Sequence, residues 1–420
     1  MGFGQGLSGL NAAAQNLDVI GNNIANSGTV GFKASSVQFA DVYASSRVGL
    51  GVKVSAVQQR FTVGTISSGG QYDMAIDGAN GFFRTVDSSG NVFYTRNGQF
   101  SIDKNLNIVN AQGQYLTGYG TGGIGTAPIQ LSLPQANISP QATTTAGFVA
   151  NLNGNASVID NTATPFDPAN ADTYTDTQPM TVYDSLGNSH QLTQYFVKRE
   201  SEKDPVTNEP IASVYDVYYT LDGAAMSPTT STGTPAVWGN PTELRFDSAG
   251  RLTTNPAVQT VTLADPGGAS SPAAPLSVDI NYTGTTQYGS DFTSSKTPNG
   301  YTSGEFNSIS FGTDGSIIAS YSNGETQNVG TVVLANFNNV QGLKPVGDNA
   351  WSESADSGAA QLGQPGTNGM ALIRGQSVEE SNVDLSSELV NMIVAQRTYQ
   401  ANTQTIKTQS DVLQNLLQIS

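Results

Sequence analysis

General acid–base chemistry calls first for histidine, and the 420-residue chain has one, His190. Ser189 and Asp184 stand near it in sequence, which is the composition of a hydrolytic triad. No G-x-S-x-G elbow lifts a serine onto a strand-to-helix turn, however, and the alternation around His190 predicts a strand. One histidine and no cysteine exclude histidine-rich and thiolate metal sites, disulfides and thiol nucleophiles. Paired carboxylates of the glycosidase kind could come from Asp216, Asp222, Glu243 and Asp247, but nothing singles them out. Two G-x-G-x-x-G matches occur, at Gly4, Gly6 and Gly9 and at Gly118, Gly120 and Gly123. Neither sits in the strand–turn–helix context that a dinucleotide phosphate needs. Met1-Gly2 begins a myristoylation-like start, but Gly6 stands where a serine or threonine belongs. The expectation is a chain with no catalytic, cofactor-binding or metal-binding residue, and no cofactor.

The element that would carry most of these residues is β-structure. Short alternating runs such as Gly81 to Val86, Val92 to Thr95 and Met180 to Tyr183 are bounded by Asn97-Gly98, Asp222-Gly223, Asn299-Gly300, Asp314-Gly315 and Asn323-Gly324, all hairpin-favouring pairs. A D-S-x-G-polar pattern recurs at Asp87, Asp184 and Asp247. An aspartate that bonds its own downstream backbone, with a glycine in the left-handed region, reads as a bulged turn. A calcium loop would need more carboxylates at alternate positions.

The two ends read differently. Phe3, Gly6, Leu10, Ala13, Leu17, Ile20 and Ile24 alternate by three and four, predicting a helix over 3–24 that Asn22, Asn23, Asn26 and Gly28 bring to a stop. Leu385, Met392, Tyr399, Ile406 and Leu413 recur every seven residues, with Leu389 and Leu417 on the companion stripe, predicting a helix over 385–419. Ser381 or Asn382 is the expected cap. Asp18 is the only charged side chain among the first 32 residues, and the second helix has only Glu388, Arg397, Lys407 and Asp411. A solvated helix pair of this length carries faces of Glu and Lys; here Asn, Gln, Ser, Thr and Ala stand instead. That composition points to burial by further copies of the same chain.

The whole chain is 12% charged with a formal net charge of −16. Nucleic acid and anionic membrane surfaces are poor partners for it, and no run approaches the length of a spanning helix. No Lys or Arg precedes Lys33, so the basic segment of a cleaved secretory leader is not expected.

Three stretches carry a resemblance. Asn16 to Asn26 (N-L-D-V-I-G-N-N-I-A-N), followed by Gly31-Phe32-Lys33, is similar to the signature of flagellar rod and hook proteins; Asn22, Asn23 and Asn26 are its core. Ser381-Asn382-Val383-Asp384-Leu385, running on to Gln400, resembles the other end of that family. Asp77 to Phe83 and Tyr94 to Gly98 resemble the β-domain its members share. An insert near 147–298, containing Thr181 to Asn188, looks like the outer domain of hook proteins rather than anything in the shorter rod proteins. The resemblance and the composition together give a mixed, mainly β fold with nested domains. These are an assembly domain of terminal helices (1–27 and 384–420), connecting segments (28–70 and 365–383), a discontinuous β-domain (71–146 and 299–364) and an inserted outer β-domain (147–298).

What the resemblance implies is a helical homopolymer in the extracellular hook. It would meet a distal rod protein, a hook cap and a hook–filament junction protein, and would be exported by the flagellar type III apparatus without a cleaved leader. Assembly contacts fall on Leu10, Ala13, Leu17, Ile20, Ile24, Leu385, Leu389, Met392, Tyr399, Ile406, Leu413 and Leu417. The alternatives are a distal rod or hook-associated protein and, in another class, a secreted β-rich adhesin.

Overall fold

A computed structural model describes residues 3–42, 49–123, 125–134, 137–233, 236–268 and 270–419, with side chains described as far as Asn415. It is mostly strand, with one long helix at each end: α1 (Phe3–Ala25) and α2 (Leu385–Ile419). The chain divides into two compact units, one of residues 1–135, 307–320 and 326–420, the other of 136–306 and 321–325.

In the first unit, α1 stops where Asn26 turns its amide back to the Asn22 carbonyl at 3.1 Å. The chain then makes a two-stranded antiparallel ribbon, β1 (Ser35–Val42) and β2 (Gly51–Gln59). Beyond it, strands from both sides of the insert interleave in one antiparallel sheet: Thr331 pairs Tyr119, Ala335 pairs Phe82 and Ala350 pairs Thr95. Two smaller pairings join residues equally far apart, Ile66 with Glu379 and Ile76 with Ile373. Phe82, Tyr94, Phe337, Leu343 and Trp351 form a buried aromatic-rich core, their rings mostly edge to face.

α2 is capped by Asp384, not by Ser381 or Asn382: Asp384 Oδ1 accepts the Ser386 amide at 3.0 Å and the Ser387 amide at 3.3 Å. Hydrogen bonds from the Ser387 hydroxyl and these amides hold the Asp384 carboxyl below the usual aspartate range. Asn382 is committed elsewhere, as described below.

The second unit packs two sheets face to face. One has Thr145–Asn153 at its centre, beside Leu276–Asn281, Thr286–Tyr288 and Thr293–Pro298; the other orders Asp176–Tyr183, Ser189–Lys198 and Pro210–Leu221, with Thr242–Phe246 also on the last. Phe148, Phe196, Tyr215, Tyr219, Phe246 and Tyr282 fill the space between them. Asp222-Gly223 closes a hairpin in which Leu221 pairs Ala224, both turn residues at positive φ. Asn97-Gly98 and Asn299-Gly300 are not hairpin turns. Asn299 instead accepts the Thr144 and Thr145 amides on its side-chain oxygen at 2.9 and 3.0 Å.

The D-S-x-G turns share one geometry. Asp87, Asp184 and Asp247 each accept amides two and four residues on, at 2.8 to 2.9 Å, with Gly90, Gly187 and Gly250 left-handed. Asp103 repeats it with Leu106 in the glycine's place at φ 63°, which the sequence pattern does not reveal.

His190 lies between the Asp184 turn and the Asp222-Gly223 hairpin turn, Nδ1 2.7 Å from Asp222 Oδ2 and Nε2 3.4 Å from the buried Asp184 Oδ2. Burial pulls its pKa down, but bonds to the two carboxylates outweigh burial and raise it. A raised histidine contributes stability in full below its unfolded pKa of about 6.5 and loses it as pH rises through the folded value. We expect the melting temperature of the full chain to fall as pH rises above about 6.5. His190→Gln should flatten that slope and cost about 1–2 kcal/mol at pH 6. Melting curves with the same slope in both chains would contradict it.

Candidate functional site

Small residues set how closely the terminal helices approach. A Cβ on Gly6 would stand 3.0 Å from Ile406, and one on Gly9 2.8 Å from Asn402. The helices are therefore antiparallel, and α1 brings Gly6, Ala13 and Ile20, all buried, to the pair. Of the glycines that imitate a phosphate loop, Gly6 and Gly9 are packing positions in α1 while Gly4 is exposed; Gly118 lies in a strand and Gly123 in a turn.

The heptad stripe of α2 does not run along α1. Glu388, Asn391, Val394, Ala395, Thr398 and Asn402 border a groove shared with α1, and among these Glu388 and Ala395 are buried. A seven-residue repeat drifts about 20° per heptad around a straight helix. The stripe accordingly starts away from α1 at Leu385 and reaches it at Ile406, under Gly6. Leu385, Leu389, Tyr399 and Leu413 are exposed, and Met392 and Ile406 are half-buried. On α1, Leu10, Leu17 and Ile24 are half-buried. The Leu417 side chain lies outside the described residues.

The exposed part of α2 is strongly apolar. Leu385, Leu389, Val390, Ile393 and Val394 are 45–60% exposed within three turns. The single charge among residues 385–396, Glu388, is buried and paired with Arg60 at 3.2 Å. A patch of this kind marks a surface that something covers.

The residues singled out at the helix ends are stitches. Asn23 is buried; it donates to the Ser35 carbonyl at 2.8 Å and accepts the Ser35 amide at 2.9 Å, fixing the start of β1 against α1. Asn26 donates to Asn22 Oδ1 at 2.8 Å. Asn382 accepts the Ala34 amide at 2.7 Å and donates to the Arg60 carbonyl at 2.6 Å, tying the entry to α2 to both strands at the open end of the ribbon. Gly31 sits at φ 73°, where a Cβ would meet the Asn97 amide nitrogen at 2.6 Å, and Phe32 offers its carbonyl to the Asn382 amide at 3.5 Å.

Lys33 proves to be one third of a buried charge cluster. Its Nζ is 2.5 Å from Glu379 Oε1 and 2.8 Å from the Thr62 carbonyl. Arg96 reaches Glu379 Oε2 at 3.2 Å and the Gly78 carbonyl at 2.9 Å, with its guanidinium over the Phe82 ring. The Gly64 amide gives Glu379 a further bond at 2.9 Å. All three side chains are excluded from solvent. Burial lowers the Lys33 and Arg96 pKa values, against the opposing pull of Glu379. This clasp joins the segment after α1, the β-body and the segment before α2. Glu379 carries no periodicity or motif, so nothing in the sequence distinguishes it.

The residues weighed for catalysis are otherwise engaged. Asp216 and Glu243 face each other across a strand pair, but Arg199 bridges them at 3.1 and 2.8 Å. Asp247 is a turn aspartate, and among the described residues no group of three or more potential ligands is placed to hold a metal ion.

Four family models match along the chain: the flagellar basal body rod protein family at 5–33, the flagellar hook protein FlgE/F/G D1 domain at 75–154, the flagellar basal body protein FlaE D2 domain at 151–301 and the flagellar basal body rod FlgEFG protein C-terminal family at 374–419. The flagellar hook proteins FlgE of Escherichia coli and Salmonella typhimurium are each 43% identical to it, over 428 and 426 aligned residues that cover all of both chains. The crystal structure of Helicobacter pylori flagellar hook protein FlgE2 superposes with a TM-score of 0.55 at 16% identity, covering 74% of this chain and 99% of that one, and so shares the fold. With relatives this similar over their whole length, and with rod-type ends around a hook-type D2 domain, the chain belongs to the flagellar hook protein FlgE family and is a structural subunit of the bacterial flagellar hook.

Proposed function

We propose that the chain polymerises through its terminal helices into a flexible tube that couples the rod to the filament and passes on motor torque. The observation that carries this reading is the exposed, uncharged apolar face of α2 from Leu385 to Val394, which a single copy leaves unpaired. Neighbouring copies cover it, with Leu10, Leu17, Ile24, Met392, Tyr399, Ile406, Leu413 and Leu417 completing the helix contacts around the buried Ala13 and Ile20. A head-to-tail contact that does not close produces a helical tube.

In this reading the subunit is nested, with terminal helices (1–27 and 384–420) that build the tube, connecting segments (28–70 and 365–383), a discontinuous β-domain (71–146 and 299–364) and an inserted β-domain (147–298). The partners at the tube's ends are a distal rod protein, a hook cap and a junction protein. The chain reaches them through the flagellar export apparatus, and it has no enzymatic role.

Removing residues 1–70 and 365–420 tests the helix-driven part. The intact chain is expected to form tubes and the truncated chain none, by electron microscopy and sedimentation at equal concentration. Tubes from the truncated chain would sink the reading.

A further inference from the structure

α1 and α2 are of unequal length, and the excess lies at one end. Gly6 faces Ile406 and Gly9 faces Asn402, which sets Phe3, where α1 begins, opposite about residue 409 of α2. α2 continues to Ile419, an overhang of about 15 Å at 1.5 Å per residue, with Val412 and Leu413 nearly half exposed on it. Further along the same helix pair is a groove of about 680 Å³. Its floor includes Ala12 and Ala13 of α1, its walls include Val37 and Phe39 of β1 and Val394 of α2, and Arg60 stands among its lining residues.

Resting on the polymer reading above, we infer that the α2 overhang of one copy seats in this groove of another copy. Three observations commit the groove to that occupant. The overhang presents Val412 and Leu413 nearly half exposed, beyond the point where the described part of α1 begins. The groove is continuous with the exposed α2 face through Val394, so that one surface serves both contacts. The charges also match: Asp411 is the one acidic residue of the overhang, and the Arg60 side chain, although paired with Glu388, is 49% exposed. A neighbour's Asp411 then shares the Arg60 guanidinium as Val412 and Leu413 enter the groove.

The absence of cysteine from the chain makes the test clean. A Val37→Cys, Leu413→Cys chain has its two thiols too far apart to join within one molecule, because the groove borders α2 residues 388–402 and Leu413 lies about 16 Å further along the helix. Oxidised tubes of this chain are expected to give a covalent ladder on a non-reducing gel, at least tenfold above either single-cysteine chain. Intact tubes without that excess would overturn the inference. If the double substitution blocks assembly, a photo-crosslinking phenylalanine analogue at position 39 of the otherwise unchanged chain replaces it. Adducts on the peptide spanning 407–415 of another copy support the inference, and adducts confined to other segments overturn it. Failure of the unsubstituted chain to form tubes would instead defeat the polymer reading.

Discussion

A chain carrying Leu389→Asp and Ile393→Asp is expected to remain a folded monomer and to form no tubes at concentrations where the parent polymerises completely. Both side chains are about half exposed and point away from α1, so the monomer loses little burial. Surface changes of this kind usually alter stability by less than about 0.5 kcal/mol. In a polymer the same positions would bury two carboxylates against apolar neighbours, at a cost of several kcal/mol for each unpaired charge. Sedimentation velocity separates monomer from polymer, and a thermal melt checks the fold. Tubes of normal yield from the doubly charged chain would show that this face of α2 stays open to solvent.

Glu379→Gln is expected to destabilise the first unit by about 3–5 kcal/mol, the range found when one partner of a buried ion cluster is removed. The glutamine retains the shape and an acceptor for the Gly64 amide, yet it leaves Lys33 and Arg96 as two uncompensated buried cations. The second unit shares none of these groups, so denaturant unfolding should separate into two transitions, the earlier one moved. A shift below 1 kcal/mol would mean that water or a rearranged acceptor replaces the carboxylate. Replacing all three charges together by apolar residues of similar size is expected to cost less than Glu379→Gln alone, because no unpaired ion remains.

How much of this was legible in the sequence differs by element. Both helices are, since periodicity and the absence of Gly and Pro over 385–419 act locally; α2 spans the expected residues and α1 runs one residue longer. The D-S-x-G turns are legible for the same reason, because the aspartate and the glycine that build each one lie within four positions. Which face of α2 meets α1 is not. A heptad count assumes a supercoiled partner along the whole length, whereas here Gly9 meets Asn402 and the stripe reaches α1 only at Ile406, against Gly6. The cap of α2 went to Asp384 because Asn382 is held by Ala34 and Arg60, contacts made with residues more than 300 positions away. Glu379 was invisible for the same reason: its partners, Lys33 and Arg96, meet it only through the fold. The signature asparagines could be recognised by resemblance, but their work of pinning β1 and the entry to α2 emerges only from the hydrogen bonds.

The clasp also bears on the order in which the chain takes shape. Lys33 and Glu379 are 346 residues apart, and strand pairs such as Ile66 with Glu379 span almost as much. Contacts of such separation form late, since loop-closure entropy is lost before they give anything back. The second unit is drawn from one nearly unbroken stretch and has no such wait. A chain that emerges N-terminus first would therefore carry a finished second unit and an unfinished first unit until its last fifty residues arrive. The exposed apolar face of α2 lies within those residues, so stickiness and completion of the first unit come together, at the end of synthesis or passage.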